Sequence, residues 1–273
     1  MEKKKYKTVL TIAGSDPSGG AGIQADIKTC CALGVYSMSV ITAVTVQNSR
    51  GVTQSVALSP DVVADQLRAV LDDITPDAVK IGMIPDGDVA RIISRVILEY
   101  HLHNVVIDPV AISTSGHRLS SPGTCEVMKD ELFPLATLVT PNLPEAELLF
   151  GMTPSNAWSL FSNETDTSFD ILLKGGHATG DNTVTDILLT KKYPEPICFV
   201  HQKIDTVNTH GTGCTLSSAI AGFLAHGLDL ESSVGKAIDW LSRAVYEGAD
   251  YSFGSGHGPL NHIFKQIEQW KLK

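Results

Sequence analysis

The sequence predicts an α/β fold with a mostly parallel sheet, crossover helices and an antiparallel hairpin at one edge. Three observations carry this reading. Short β-branched runs recur along the chain, each followed by a turn and then a helical pattern, the alternation that a parallel sheet requires. Between them, apolar residues repeat at three- and four-residue spacing. Near the middle of the second half, Lys191-Lys-Tyr-Pro-Glu-Pro196 separates an apolar run at 185–190 from another at 197–204, as a hairpin would.

Taken in order, the first strand covers residues 9–13. It runs into the glycine cluster Gly14-Ser-Asp-Pro-Ser-Gly19-Gly20-Ala-Gly22, ahead of a helix that starts near Ile23. The uncharged stretch between Lys28 and Arg50 reads as a helix end and a buried strand at 39–46, because its Ser, Thr, Gln, Asn and Gly residues do not suit a lipid-spanning helix. Val63, Leu67, Val70 and Leu71 form a helix stripe behind the cap and first-turn proline Ser59-Pro60. Strands follow at 78–81, 105–107, 138–140 and 171–173, and a last stripe of Val234, Ile238, Leu241 and Val245 marks another core-facing helix.

Composition narrows the function. With 273 residues, 43% hydrophobic and 19% charged, the chain can bury one sizeable core and is neither collagenous nor disordered. A net charge of −9 argues against nucleic acid or an anionic membrane as partner, so any phosphate must be held locally. Five cysteines (Cys30, Cys31, Cys125, Cys198, Cys214) with no C-x-x-C pair suggest neither a disulfide framework nor a zinc ribbon. They fit a reducing cytoplasm, and the apolar run after Lys7 is too short for a secretory leader. No internal repeat or linker divides the chain, which reads as a single domain over 1–273.

Ligands of open α/β sheets bind outside the carboxyl ends of the strands. Here those ends carry Gly14-Ser15-Asp16, Gln47-Asn48, Gly82-Met83, Asp108, Asn142 and Lys174-Gly175-Gly176. The first glycine cluster mimics a dinucleotide fingerprint at Gly20-Ala-Gly-Ile-Gln-Ala25, but residues 27–60 hold no acidic partner for a ribose. It is no Walker loop either, since Ile23-Gln24 follows the last glycine. The second cluster, Asn208-Thr-His-Gly211-Thr212-Gly213-Cys214, leads into an apolar helix, and glycines ahead of a helix expose amides that favour an anion such as a phosphoryl group. Cys214 in that first turn reads as a small buried helix residue, unless the same field lowers its thiol pKa and makes it a proton acceptor. Asn142 and Glu145, three apart at a helix start, read equally as a capping pair or as a carboxylate holding Mg²⁺ through water. Lys174 ends an otherwise apolar strand, an awkward place for an ammonium without an anion nearby.

The strings LTIAGSDPSGGAGIQAD at 10–26, VQN at 46–48, KIGM at 80–83, DPV at 108–110, TPNLPEA at 140–146, KGGH at 174–177 and NTHGTGCT at 208–215 resemble the hydroxymethylpyrimidine/phosphomethylpyrimidine kinases of thiamine biosynthesis, in the ribokinase-like superfamily. The resemblance runs in order over nearly the whole chain. It implies a ribokinase-like three-layer α/β/α domain that pairs into a homodimer. It implies also an enzyme that uses ATP and Mg²⁺ to phosphorylate 4-amino-5-hydroxymethyl-2-methylpyrimidine to its monophosphate and then to the diphosphate. By motif, Gln47 and Asp26 would bind the polar edge of the pyrimidine, with Gly14, Ala21, Met83 and Val110 around its ring. Asp108 and Glu145 would serve the metal, and with Asn142, Lys174 and Thr212 the nucleotide phosphates. Gly211, Thr212, Gly213 and Cys214 would form the catalytic anion hole, with Lys174 countering charge and Cys214 in the place of a sugar kinase's aspartate base.

Three features depart from the family pattern. Ala111 and Thr114 stand where many relatives carry a flap methionine and lysine, Ile238 stands where many place a lysine, and the stretch 152–170 is short. Two competing functions remain in view. One is a pyridoxal kinase of the same superfamily, which often carries a flap cysteine that residues 110–117 lack. The other is a catalytically idle pyrimidine-binding regulator, against which the presence of Lys174 and the 211–214 loop argues.

Overall fold

The structure, a computed structural model, describes residues 5–110, 119–163, 167–176 and 182–265. Among these, nine strands form one sheet in the order β3-β2-β1-β4-β5-β6-β7-β8-β9. They are β1 (Thr8–Ser15), β2 (Tyr36–Asn48), β3 (Gly51–Ala57), β4 (Ala78–Ile81), β5 (Val105–Ile107), β6 (Leu138–Val139), β7 (Asp170–Leu173), β8 (Thr183–Leu189) and β9 (Ile197–Gln202). The run from β2 through β7 is parallel; β3 at one edge and β8 and β9 at the other are antiparallel.

Alternation along the parallel strands sends successive side chains to opposite layers. Leu10, Ile12, Val79, Ile81, Val105 and Ile107 face one side, where α2 (Pro60–Leu71) and α3 (Gly87–Glu99) cover them. Val9, Ala78, Val106, Leu138 and Leu172 face the other, against α7 (Thr212–Ala225) and α8 (Leu230–Gly248). Burying each large aliphatic side chain contributes roughly 1.5–3 kcal/mol, so two such layers account for a stable three-layer α/β/α domain. Ile171 and Leu173 extend the first layer beneath the short α6 (Ala157–Asn163). Caps fix the helix entries: Ser59 accepts from the Val62 amide ahead of α2, and Asp229 from the Ser232 amide ahead of α8.

The expected hairpin of β8 and β9 is present. The opposite edge differs from expectation, because β2 turns through Ser49 and Arg50 into β3, which pairs back onto it from Asn48–Gly51 to Ala43–Ala57. No β3 residue is buried, so its sequence lacks the apolar alternation that marks a half-buried strand. Ile238 is buried and Lys236 exposed on α8, as the departure from the family pattern implies. The flap residues Ala111 and Thr114, and His177 of the KGGH string, lie outside the described residues. No helix among the described residues is long and apolar enough to cross a membrane.

Candidate active site

The chain leaves β1 for β2 on one side and returns to β4 on the other, and a cavity of about 630 Å³ opens at the carboxyl ends of these strands. Of the residues expected at a site, Gly14, Ala21, Gln47, Met83 and Val110 line it, as do Asp108, Asn142, Glu145, Lys174 and the whole 211–214 turn. Asp26 does not. Its side chain is fully buried on α1 (Gly22–Ala32), where it accepts from Lys80 at both oxygens, from Thr11 at 2.6 Å and from Ser218 at 2.7 Å. With four hydrogen bonds from three donors on one carboxylate, no lone pair is left for a substrate, and Asp26 is a structural anchor of α7 instead.

Asp16 shapes the first glycine loop. Its Oδ1 accepts from the Ser18 amide and hydroxyl, and its Oδ2 from the Gly20 and Ala21 amides and lies 2.9 Å from His210 Nε2. Burial alone would raise this carboxyl, but these bonds, that from His210 foremost, outweigh it and hold the pKa at about 2. His210 thereby ties the first loop to the second. At their junction Gly211 has φ +87°, and a Cβ there would run into the carbonyl of Gly20, so only glycine lets the two loops meet.

Beyond Gly211, α7 begins with no side-chain cap. Its first-turn amides belong to Thr212, Gly213 and Cys214, all on the cavity wall, and amides at a helix start have the chemistry to receive an anion. Facing it is an ion pair: Lys174 Nζ donates to Asp108 Oδ1 at 2.6 Å, and a Cβ on Gly213 would sit 3.3 Å from Asp108 and 3.4 Å from Lys174. Burial works against the Lys174 ammonium, but Asp108 and Glu145 outweigh it and raise its pKa. Glu145 completes the group. It and Asn142 form a full capping box at the start of α5 (Leu143–Phe150), and burial pushes the Glu145 carboxyl up to about 7 against the pull of Lys174. The capping reading is therefore established, and it leaves the carboxylate on the cavity wall.

At Cys214 the buried-residue reading holds and the lowered thiol does not. Burial, helped by the charges of Asp26 and Asp108, pushes its thiol up to about 11 against the pull of the Lys80 cation and the Gly22 amide, so the side chain is a neutral thiol at pH 7. Three residues went unforeseen. Asp16 and His210 meet across 194 residues of sequence, which no local pattern reveals. Asp186 accepts from the Gly175 amide at 2.7 Å and lies 3.2 Å from His201, fixing the backbone just after Lys174.

A family model described as phosphomethylpyrimidine kinase matches residues 16–261. The chain belongs to that family. The hydroxymethylpyrimidine/phosphomethylpyrimidine kinase of Escherichia coli is 40% identical over 264 residues, covering 95% of this chain and 98% of that protein. The thiamine biosynthesis bifunctional protein ThiED of Geobacter sulfurreducens is 44% identical over 260 residues, covering 94% of this chain and 52% of its own length. The chain thus spans about half the length of its bifunctional relatives and nearly all of the single kinases. Among solved structures, an ADP complex of Bacillus subtilis pyridoxal kinase superposes with a TM-score of 0.85 at 32% identity, covering 96% of this chain and 100% of that one. A phosphomethylpyrimidine kinase from Clostridium difficile gives 0.75 at 39% identity over 87% and 99%. These likenesses fix the fold of this kinase family chain as ribokinase-like.

The donor chemistry of the site fits a magnesium–nucleotide complex. Asp108 and Glu145 are hard oxygen donors beside Lys174, whereas no group of three or more His, Cys, Asp or Glu among the described residues makes an all-protein metal cage. One or two carboxylates plus ligand phosphates is how Mg²⁺ is usually held.

Proposed function

We propose that this chain is an ATP-dependent kinase that phosphorylates 4-amino-5-hydroxymethyl-2-methylpyrimidine to its monophosphate and then to its diphosphate. The observation that carries this reading is the uncapped start of α7, at Gly211 to Cys214, closing on the Lys174–Asp108 pair in the same cavity as Gln47. The names of the curated kinase relatives support the substrate.

In the reaction this geometry favours, positioning and charge stabilisation dominate. The amides of Gly213 and Cys214 receive charge that accumulates on the phosphoryl group in flight. Lys174, tethered by Asp108, holds a cation against it. Asp108 and Glu145 would hold Mg²⁺, which when bound offsets the charge of the nucleotide phosphates. Gln47 engages the polar edge of the pyrimidine, while Met83, Val110 and the backbone at Gly14 and Ala21 pack around its ring. The thiolate form of Cys214, a minor species at pH 7, is the form that takes the hydroxyl proton in the first transfer; the second starts from a phosphate already deprotonated and needs little base.

Two further features belong to this reading. The cysteine content, five with no C-x-x-C pair, supports a reducing compartment such as the cytoplasm. Val44, Val46 and Val56 stand 45%, 52% and 49% exposed on β2 and β3, with Val44 directly opposite Val56, and this apolar strip supports a homodimer. Val44→Asp with Val56→Asp is expected to give a monomer by sedimentation.

The function is tested by ADP release with Mg·ATP and the hydroxymethylpyrimidine, its monophosphate or pyridoxal, with Gln47→Ala in parallel. Turnover of both pyrimidines, lost in the variant, is the expected result. Turnover of pyridoxal alone moves the protein to vitamin B6 salvage, and no turnover leaves a binding protein.

A further inference from the structure

The amide of Gln47 sits between two groups whose hydrogens can be counted. As placed, its Oε1 lies 3.1 Å from Thr45 Oγ1 and its Nε2 lies 3.1 Å from His210 Nε2. Oxygen and nitrogen of an amide have the same shape, so the bonds around it decide which is which. His210 Nε2 also lies 2.9 Å from Asp16 Oδ2. Asp16, held ionised with a pKa of about 2, can only accept, so His210 Nε2 must carry a hydrogen and give it to Asp16. A nitrogen that carries a hydrogen cannot accept one from Gln47.

Thr45 leads to the same conclusion independently. It has one hydroxyl hydrogen, and the Ser15 carbonyl, which can only accept, takes it at 2.9 Å. What Gln47 offers Thr45 must then be a donor. Both neighbours therefore call for the opposite amide orientation.

We propose that Asp16, through His210, and Thr45 together fix the Gln47 amide with its oxygen toward His210 and its nitrogen toward Thr45, making these three residues positioning residues for substrate choice. In that orientation Gln47 shares the His210 N–H through its oxygen and donates one N–H to Thr45. One N–H and one oxygen lone pair remain on a residue that lines the cavity. A donor beside an acceptor matches a ring nitrogen beside an exocyclic amino group, the edge of a 4-aminopyrimidine. A hydroxypyridine aldehyde such as pyridoxal has no amino donor beside its ring nitrogen and leaves half of the pair unanswered. An unpaired polar group in a site built to bond it discriminates strongly. This inference rests on the aminopyrimidine reading for its substrate and on hydrogen counting alone for its orientation.

Two measurements test it. In protein labelled with ¹⁵N-histidine, with the His210 signals assigned by their loss in His210→Asn, Nε2 of His210 is expected to show the pyrrole-type shift of a protonated nitrogen. A pyridine-type shift at Nε2 overturns the proposal, because His210 would then accept from Gln47. The second is a comparison of Thr45→Val and Gln47→Glu with the unaltered enzyme on the aminopyrimidine and on pyridoxal. Losing one oriented bond is expected to raise KM for the aminopyrimidine about tenfold and leave kcat within about twofold, with pyridoxal affected far less. Equal losses on both substrates, or a fall in kcat alone, overturn the specificity role. If the unaltered protein phosphorylates neither compound, the kinase reading fails while the histidine measurement still decides the orientation.

Discussion

Lys80 Nζ lies 2.9 Å from each carboxylate oxygen of Asp26, and the side chains of both are wholly sealed from solvent. A sealed pair of this kind seldom adds net stability, since desolvation of two charges offsets their attraction. Its effect here is on geometry. Asp26 also takes the hydroxyl of Ser218, which stands four residues after Cys214 and so one turn beneath it on α7. The pair links β4, β1 and α1 to α7, whose first turn lines the cavity.

Removing one partner leaves the other as an uncompensated buried charge. Lys80→Met is therefore expected to lower stability by about 3–5 kcal/mol in urea denaturation. The double variant Lys80→Met with Asp26→Leu removes both charges and is expected to regain most of that loss. A double variant as unstable as the single one would show that the charges themselves hold the fold.

The layer pattern was legible in the sequence because strand and helix periodicities are local. The strands at 78–81 and 105–107 match β4 and β5 residue for residue, and Ser59-Pro60 opens α2. The cavity lining was legible for a related reason: in parallel sheets the strand ends converge, so polar residues there share one edge. What could not be read was contact across the sheet. Asp26 carries a helix address that suits either layer, and only Lys80, 54 residues on, and Ser218, 192 on, draw it away from the cavity. At Cys214 sequence left two readings open, because the helix field is visible there while the depth of burial, which decides for the neutral thiol, is not.

A thiol held at about 11 has a direct kinetic consequence. If Cys214 takes the hydroxyl proton, the first phosphorylation is expected to keep rising with pH above 8, as the thiolate fraction grows. Cys214→Ser is expected to lower that step by about 10²-fold and to abolish the alkaline rise, while phosphorylation of the monophosphate falls only a few-fold. Parallel rate–pH curves for the two substrates check this; equal losses in both would remove the base role.

Burial lifts the Glu145 carboxyl from an ordinary value of about 4.5 to about 7 in the folded protein. The folded protein therefore binds the proton more tightly than the unfolded chain. Ionisation costs nothing below about pH 4.5 and its full penalty, up to about 3 kcal/mol, above about pH 7. Glutamine keeps a carbonyl for the Asn142 amide of the capping box, now at 2.9 Å, and never ionises. Glu145→Gln is expected to raise the melting temperature at pH 8, leave it unchanged at pH 4.5, and reduce phosphoryl transfer. Equal shifts at both pH values would mean the carboxylate is not strained by burial.

His262 pulls in the other direction. It is buried beside Trp240, with Nε2 2.9 Å from the Thr215 hydroxyl, and burial lowers its pKa to about 4. The unfolded chain, at about 6.5, takes up the proton first, so stability is lost as pH falls from about 6.5 toward 4, by up to about 3 kcal/mol. Over the same span Glu145 regains its proton and restores a similar amount, so the unaltered protein is expected to show a shallow dependence between pH 7 and 4.5. The variants separate the two effects. In a Glu145→Gln background the acid loss from His262 stands alone and steepens, whereas His262→Gln removes it and lets stability rise toward acid. Urea midpoints at several pH values check both slopes.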